Sequence, residues 1–89
     1  VWSKRHLKHI QKHSKSFYSK MFNEHTLYDY LLQIDRDAEE MFSELVKRMA
    51  IQEGVSEQLK ADNQIEWVGK MNNIRQRATE IINHDIIYN

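Results

Sequence analysis

The tripeptide Gly54-Val55-Ser56 sets the strongest limit on what this 89-residue chain can fold into. A long segment with helical periodicity lies on each side of it, and no proline interrupts either one. Glycine takes most easily the left-handed conformation that closes a helix C-terminus. Lys47 and Arg48 stand shortly before it, where positive charge suits the negative end of the helix dipole. Ser56 brings the side-chain oxygen wanted at an N-cap, and Glu57 adds negative charge to the next first turn. Val55, just ahead of the cap, can staple onto the new helix. A connection this short makes neighbouring helices antiparallel. The competing reading is one helix kinked at Gly54, since an interior glycine costs only about 1 kcal/mol. The reversal is the expectation adopted, and it brings Leu45 and Trp67 into one apolar seam.

The rest of the composition narrows the class. Two glycines and no proline leave little turn chemistry, so a few long elements are expected. The absence of cysteine excludes disulfides and thiolate metal sites and fits a reducing compartment. No run approaches the roughly 20 apolar residues of a membrane span, and no signal-like segment is present, so a membrane partner is not expected. The net charge is zero but unevenly spread: residues 1–23 carry six basic side chains and no acid, and the other 66 carry seven basic and thirteen acidic ones, 7 − 13 = −6. Such asymmetry bears on partners in a way the total does not.

The chain divides into three helical segments in what is expected to be a single domain, residues 1–89. The first, about Ser3 to Asn23, places Leu7, Ile10, Ser14, Phe17, Tyr18 and Met21 on one face and Lys4, Lys8, Lys12 and Lys15 on another, with Arg5 at its edge. His6, His9 and His13 fall on a third side. Thr26 opens the second segment, with Asp29 three residues on as a short-acid variant of the capping box. Leu27, Tyr30, Leu31, Ile34, Ala38, Met41, Phe42, Leu45 and Met49 form its apolar stripe. Tyr28, Leu32, Val46 and Ala50 make a second flank, which calls for a third helix or a second subunit. The third segment, about Glu57 to Tyr88, carries Trp67, Met71, Ile74, Ala78, Ile81 and Ile82. Its first two turns are poorer, with Leu59, Ala61 and Ile65 on scattered sides. At about 1.5 Å per residue the two long helices would each run about 40–47 Å, giving a slender bundle. The fold expected is all-α, an antiparallel three-helix bundle: two long helices joined at Gly54–Ser56 and a shorter basic N-terminal helix.

Chemistry is sparse. Lys4, Arg5, Lys8, Lys12 and Lys15 can neutralise phosphates and release counterions, which makes them candidates for nucleic-acid contact. The same face can instead dock on the acidic second helix, stay solvated, or meet an acidic protein. No base-reading motif accompanies it. His9 and His13, spaced i, i+4, can in principle share a metal, but a site needs a third ligand and supporting bonds. Solvated histidines are expected, with no metal and no other cofactor. The run Asp35-Arg36-Asp37-Ala38-Glu39-Glu40 spreads around a helix and lacks the glycine of a calcium loop, so a solvated face is expected. Asn72, Gln76 and Asn83 share an outer side, where amides can cross-link helices or set register in a homodimer, or simply meet water. Arg75 and Arg77 beside them form a second candidate nucleic-acid surface. Ser14, Ser16 and Ser19 neighbour histidines, but a nucleophile needs a base in reach and a group to orient it. With no phosphate loop and no nucleophile elbow, no catalytic residue and no enzyme is expected.

Three stretches in order carry a family likeness: Ile34-Asp35-Arg36-Asp37-Ala38-Glu39-Glu40-Met41-Phe42, Glu53-Gly54-Val55-Ser56-Glu57-Gln58-Leu59-Lys60-Ala61 and Trp67-Val68-Gly69-Lys70-Met71-Asn72-Asn73-Ile74-Arg75. Through them the chain resembles the small transposon-encoded TnpV proteins, over nearly its whole length. The resemblance implies the C-terminal helical portion of a longer bacterial, cytoplasmic protein that is an accessory to transposition. It brings no catalytic residue and no mechanism. The expected partners are accordingly DNA or a DNA-bound transposase, met through the basic first helix. The alternative is a structural module that dimerises or holds a partner helix.

Overall fold

The computed structural model describes residues 2–88, and the long helix ends where the glycine predicts. Five α-helices occupy Trp2–His13 (α1), Lys15–Asn23 (α2), Leu27–Gln52 (α3), Glu57–Asp62 (α4) and Gln64–Ile82 (α5), and a π-helical turn follows over Asn83–Ile87. No strand occurs among the described residues. Gly54 has φ of +68°, in the left-handed region. Its N–H donates to the Ile51 carbonyl at 3.3 Å and the Val55 N–H to the Ala50 carbonyl at 2.8 Å, the bond pair of a Schellman motif. Ser56 then caps α4, its Oγ accepting from the Leu59 N–H at 3.2 Å. Val55 is buried against Met71 and Ile74, with Met49, Ala50 and Leu59 around them, so the staple residue closes the turn hydrophobically.

Where three helices were expected there are five, because the first and third segments each break once. At Ser14 the backbone leaves the helix (φ −139°, ψ 54°) and α2 starts afresh at Lys15. Serine competes for its own backbone and so tolerates such exits. At Asn63 the break is a built cap: the Asn63 N–H ends α4 on the Leu59 carbonyl at 2.7 Å, and its Oδ1 accepts from the Glu66 N–H at 3.1 Å to start α5. The new phase explains why Leu59, Ala61 and Ile65 fit no common stripe. Ile65 is 88% exposed.

Between α2 and α3 the chain repeats the Schellman bonds without a glycine. Thr26 N–H donates to the Met21 carbonyl at 3.0 Å and His25 N–H to the Phe22 carbonyl at 3.3 Å, with His25 itself at φ of 61°. The Thr26 hydroxyl donates to the Met21 carbonyl at 3.4 Å instead of capping α3, so the Thr26–Asp29 capping box does not form.

The core consists of two clusters. Trp2, Ala38, Ile82 and Ile87 form one, with Ile34, Met41, Phe42, Leu45 and Ile86 against them. Val55, Met71 and Ile74 form the other, with Val46, Met49, Ala50, Leu59 and Trp67. Ala38 thus packs with Ile82 at the end of α5, and Met49 with Met71 and Ile74 nearer its middle. Leu45 and Trp67 lie along this α3–α5 seam but in different clusters. The molecule measures 55 × 20 × 18 Å along its principal axes. No helix among the described residues is long and apolar enough to cross a membrane.

Candidate nucleic-acid interface

Helix α1 is fixed at its first turn by two carboxylates of α3. The Ser3 N–H and Oγ–H donate to the two oxygens of Asp35 at 2.7 and 2.8 Å, and the Trp2 indole N–H donates to Glu39 Oε2 at 3.1 Å. A helix N-terminus presents unpaired N–H groups and partial positive charge, and Asp35 answers both. Burial opposes ionisation of Asp35, but the hydrogen bonds from Ser3 are among the interactions that offset it and hold the carboxyl below its ordinary 3.8. The acidic run of α3 is therefore not the uniformly solvated face expected of it. Asp35 and Glu39 hold α1, and Arg36, Asp37 and Glu40 remain exposed. The Trp2 ring packs on Phe42 with centroids 5.7 Å apart, and the Arg5 guanidinium lies 5.6 Å from the Trp2 ring centroid.

A second side of α1 is committed to a buried polar contact. His6 is only 4% exposed, against the expectation of three solvated histidines. Its Nδ1 lies 2.8 Å from the Ile87 carbonyl and its Nε2 lies 2.6 Å from the Tyr30 hydroxyl. A carbonyl only accepts, so Nδ1 carries the proton, and in the neutral ring Nε2 accepts from Tyr30. Burial raises the Tyr30 phenol above its ordinary 10.0. Phe17 of α2 meets the Tyr30 ring edge-on at 5.3 Å. Trp2, His6 and Ile10 are buried in succession at i, i+4, i+8, so this stripe binds α1 to α3 and to the π-helical turn.

What is left of α1 faces outward. Lys4, Arg5, Lys8 and Lys12, and Lys15 at the start of α2, are all exposed, and among the described residues none of them makes an ion pair. Arg5, Lys8, Lys12, His9, His13 and Tyr88 line a shallow depression of about 380 Å³, and among the described residues no carboxylate lies in its wall. The His9 and His13 rings lie 4.9 Å apart, and Tyr88 meets His9 edge-on at 5.6 Å. Sequence reasoning did not assign Tyr88 to this site. The π-helical turn brings it there, its N–H donating to the Asn83 carbonyl five residues back at 2.8 Å. Among the described residues no three His, Asp or Glu side chains are grouped to hold a metal ion.

The candidate interaction row divides. Asn72 and Gln76 are exposed, whereas Asn83 is half-buried with an enclosed Oδ1 that has no hydrogen-bond partner. The second basic surface divides too: Arg75 is exposed, but Arg77 Nη2 grips both oxygens of Glu53 at 2.8 and 2.7 Å, tying α5 to the end of α3.

Comparison with known families matches residues 1–87 to the family described as transposon-encoded protein TnpV. The expectation that the chain is only that family's C-terminal portion draws no support from this span. Neither a curated protein nor a solved structure matches the chain.

Proposed function

The chain belongs to the family of transposon-encoded TnpV proteins, and from that premise we propose a non-enzymatic, cytoplasmic accessory protein of a bacterial transposon that contacts DNA, or DNA held by a transposase, through α1. The reading takes α1–α2, α3 and α4–α5 as the three rods of one antiparallel bundle, with Lys4, Arg5, Lys8, Lys12 and Lys15 laid against phosphates. One observation carries it. The acids of α3 nearest to α1 take backbone, hydroxyl and indole donors, and the lysine face stays open. Docking of that face on α3 was the main competing account. Exposed cations without internal partners attract a polyanion by counterion release, which is independent of sequence.

The test is duplex DNA retardation at low salt. Five phosphate contacts give a slope of log affinity on log salt of about −4.5. Replacing Lys4, Lys8, Lys12 and Lys15 by Gln should flatten that slope and abolish the shift. An absent shift, or one unchanged by the four substitutions, ends this reading.

A second reading has its own support. Phe22, Tyr28 and Leu32 are 60%, 72% and 45% exposed at the α2–α3 end. They are candidates for holding a second copy or a partner helix, with Asn72 and Gln76 as a further candidate face. A monomer by light scattering at high concentration counts against the homodimer.

A further inference from the structure

The geometry points to an unpaired DNA strand as the ligand of the α1 depression, with bases stacked on Tyr88 and phosphates on Arg5, Lys8 and Lys12. The inference rests on the DNA-contact reading above and deepens it. Lysines on a convex helix face serve any polyanion, duplex included. An aromatic face has no use in phosphate contact. It becomes useful when bases are unstacked and each offers its own π-face.

The depression combines both features. Tyr88 is 49% exposed although its ring lies against His9. Its N–H donates to the Asn83 carbonyl, and its ring lies on the rim against His9. Three cations share the wall with it, and among the described residues no carboxylate opposes a phosphate there. From Lys4 to Lys12 the basic face extends about 12 Å along the axis of α1. A straight basic track with a ring beside it follows one backbone and receives the bases that backbone carries.

The experiment is fluorescence anisotropy at 50 mM salt with a labelled dT12 strand and with a labelled G·C-rich duplex long enough to stay paired under these conditions. It uses the wild-type chain, Tyr88→Ala, Tyr88→Leu, Tyr88→Phe, and the Lys8→Gln/Lys12→Gln double variant, with circular dichroism as the check on folding. The two ringless variants are expected to lose about tenfold in dT12 affinity and to keep duplex affinity. Tyr88→Phe is expected to bind dT12 like the wild type, and the double lysine variant to weaken on both probes. If ring removal changes both probes alike or neither, while lysine loss still weakens the duplex, the single-strand inference is overturned and DNA contact stands. If no probe binds even the wild-type chain, both are overturned.

Discussion

Replacing Gly54 by Ala separates backbone geometry from packing with little ambiguity. A Cβ added at Gly54 meets nothing within 4 Å, so no steric clash contributes. What remains is the φ of +68°, which costs an L-residue about 1–2 kcal/mol. The substitution also removes unfolded-chain entropy, which returns about 0.4–1 kcal/mol. The balance is a loss of about 1 kcal/mol, a fall in Tm of about 4–8 °C for a domain of this size. Gly69 supplies the control. It lies inside α5, also with nothing within 4 Å of an added Cβ, and its backbone is helical. Gly69→Ala should gain about 0.5–1 kcal/mol, with a rise in Tm of a few degrees. The same substitution is thus expected to move Tm in opposite directions at the two sites. Thermal melts followed by circular dichroism at 222 nm read both. A rise in Tm for Gly54→Ala comparable to that for Gly69→Ala would mean that residues 52–57 are helical, and the reversal would have to be abandoned.

Three further outcomes follow from the contacts of α1 and α2. His6→Ala removes a buried ring and leaves the Ile87 carbonyl and the Tyr30 hydroxyl without their partner; urea denaturation should show a loss of about 2–4 kcal/mol. Asp35 has a folded pKa below its ordinary 3.8, so the stability it contributes is present above that value and lost as pH falls through the lower, folded one. The urea midpoint of the wild-type chain should therefore drop more steeply below about pH 4 than that of Asp35→Asn, and parallel curves would exclude the Ser3–Asp35 link. His25→Gly relieves left-handed strain of about 1–2 kcal/mol against an unfolded-chain entropy cost of about 0.4–1 kcal/mol, and should raise stability by about 0.5 kcal/mol, read as a higher Tm.

The sequence carried the fold where a local rule was unique and lost it where two rules competed. Gly54 was legible because few residues other than glycine close a helix in the left-handed region, and Ser56 confirmed the restart. Asn63 was equally legible in principle, since Asn63-x-x-Glu66 has the form of a capping box. The continuing run of helix formers concealed it, although the misplaced Leu59, Ala61 and Ile65 recorded the change of phase. Ser14 offered less, because no side-chain bond marks its break. His25 offered nothing, because histidine is not the expected residue at a left-handed C-terminus. In the site the five cations declared themselves by clustering. The burial of His6 was half visible in the spacing Trp2–His6–Ile10, but its partners stand 24 and 81 residues away. Tyr88 reaches α1 only through a π-helical turn, which helical periodicity does not signal.

A chain of zero net charge can still present a cationic face on α1, and the dimensions of this one bear on how. Screening at 0.1 M salt limits the reach of a surface charge to about 10 Å, and the molecule is 55 Å long. Helix α1 lies over the Tyr30–Phe42 part of α3, held there by Tyr30, Asp35 and Glu39. Glu57 belongs to α4, beyond the far end of α3. At 1.5 Å per residue the helical rise from Glu39 to Gln52 alone is about 20 Å, twice the screening length. Glu57 therefore balances the formal charge without reducing the potential at Lys8 or Lys12. Glu57→Gln, which raises the net charge by one, should leave DNA affinity at 0.1 M salt unchanged, whereas Lys8→Gln, which lowers it by one, should weaken it. If the two substitutions shifted affinity by equal amounts in opposite directions, total charge would govern binding, and the open face of α1 would have no special part in it.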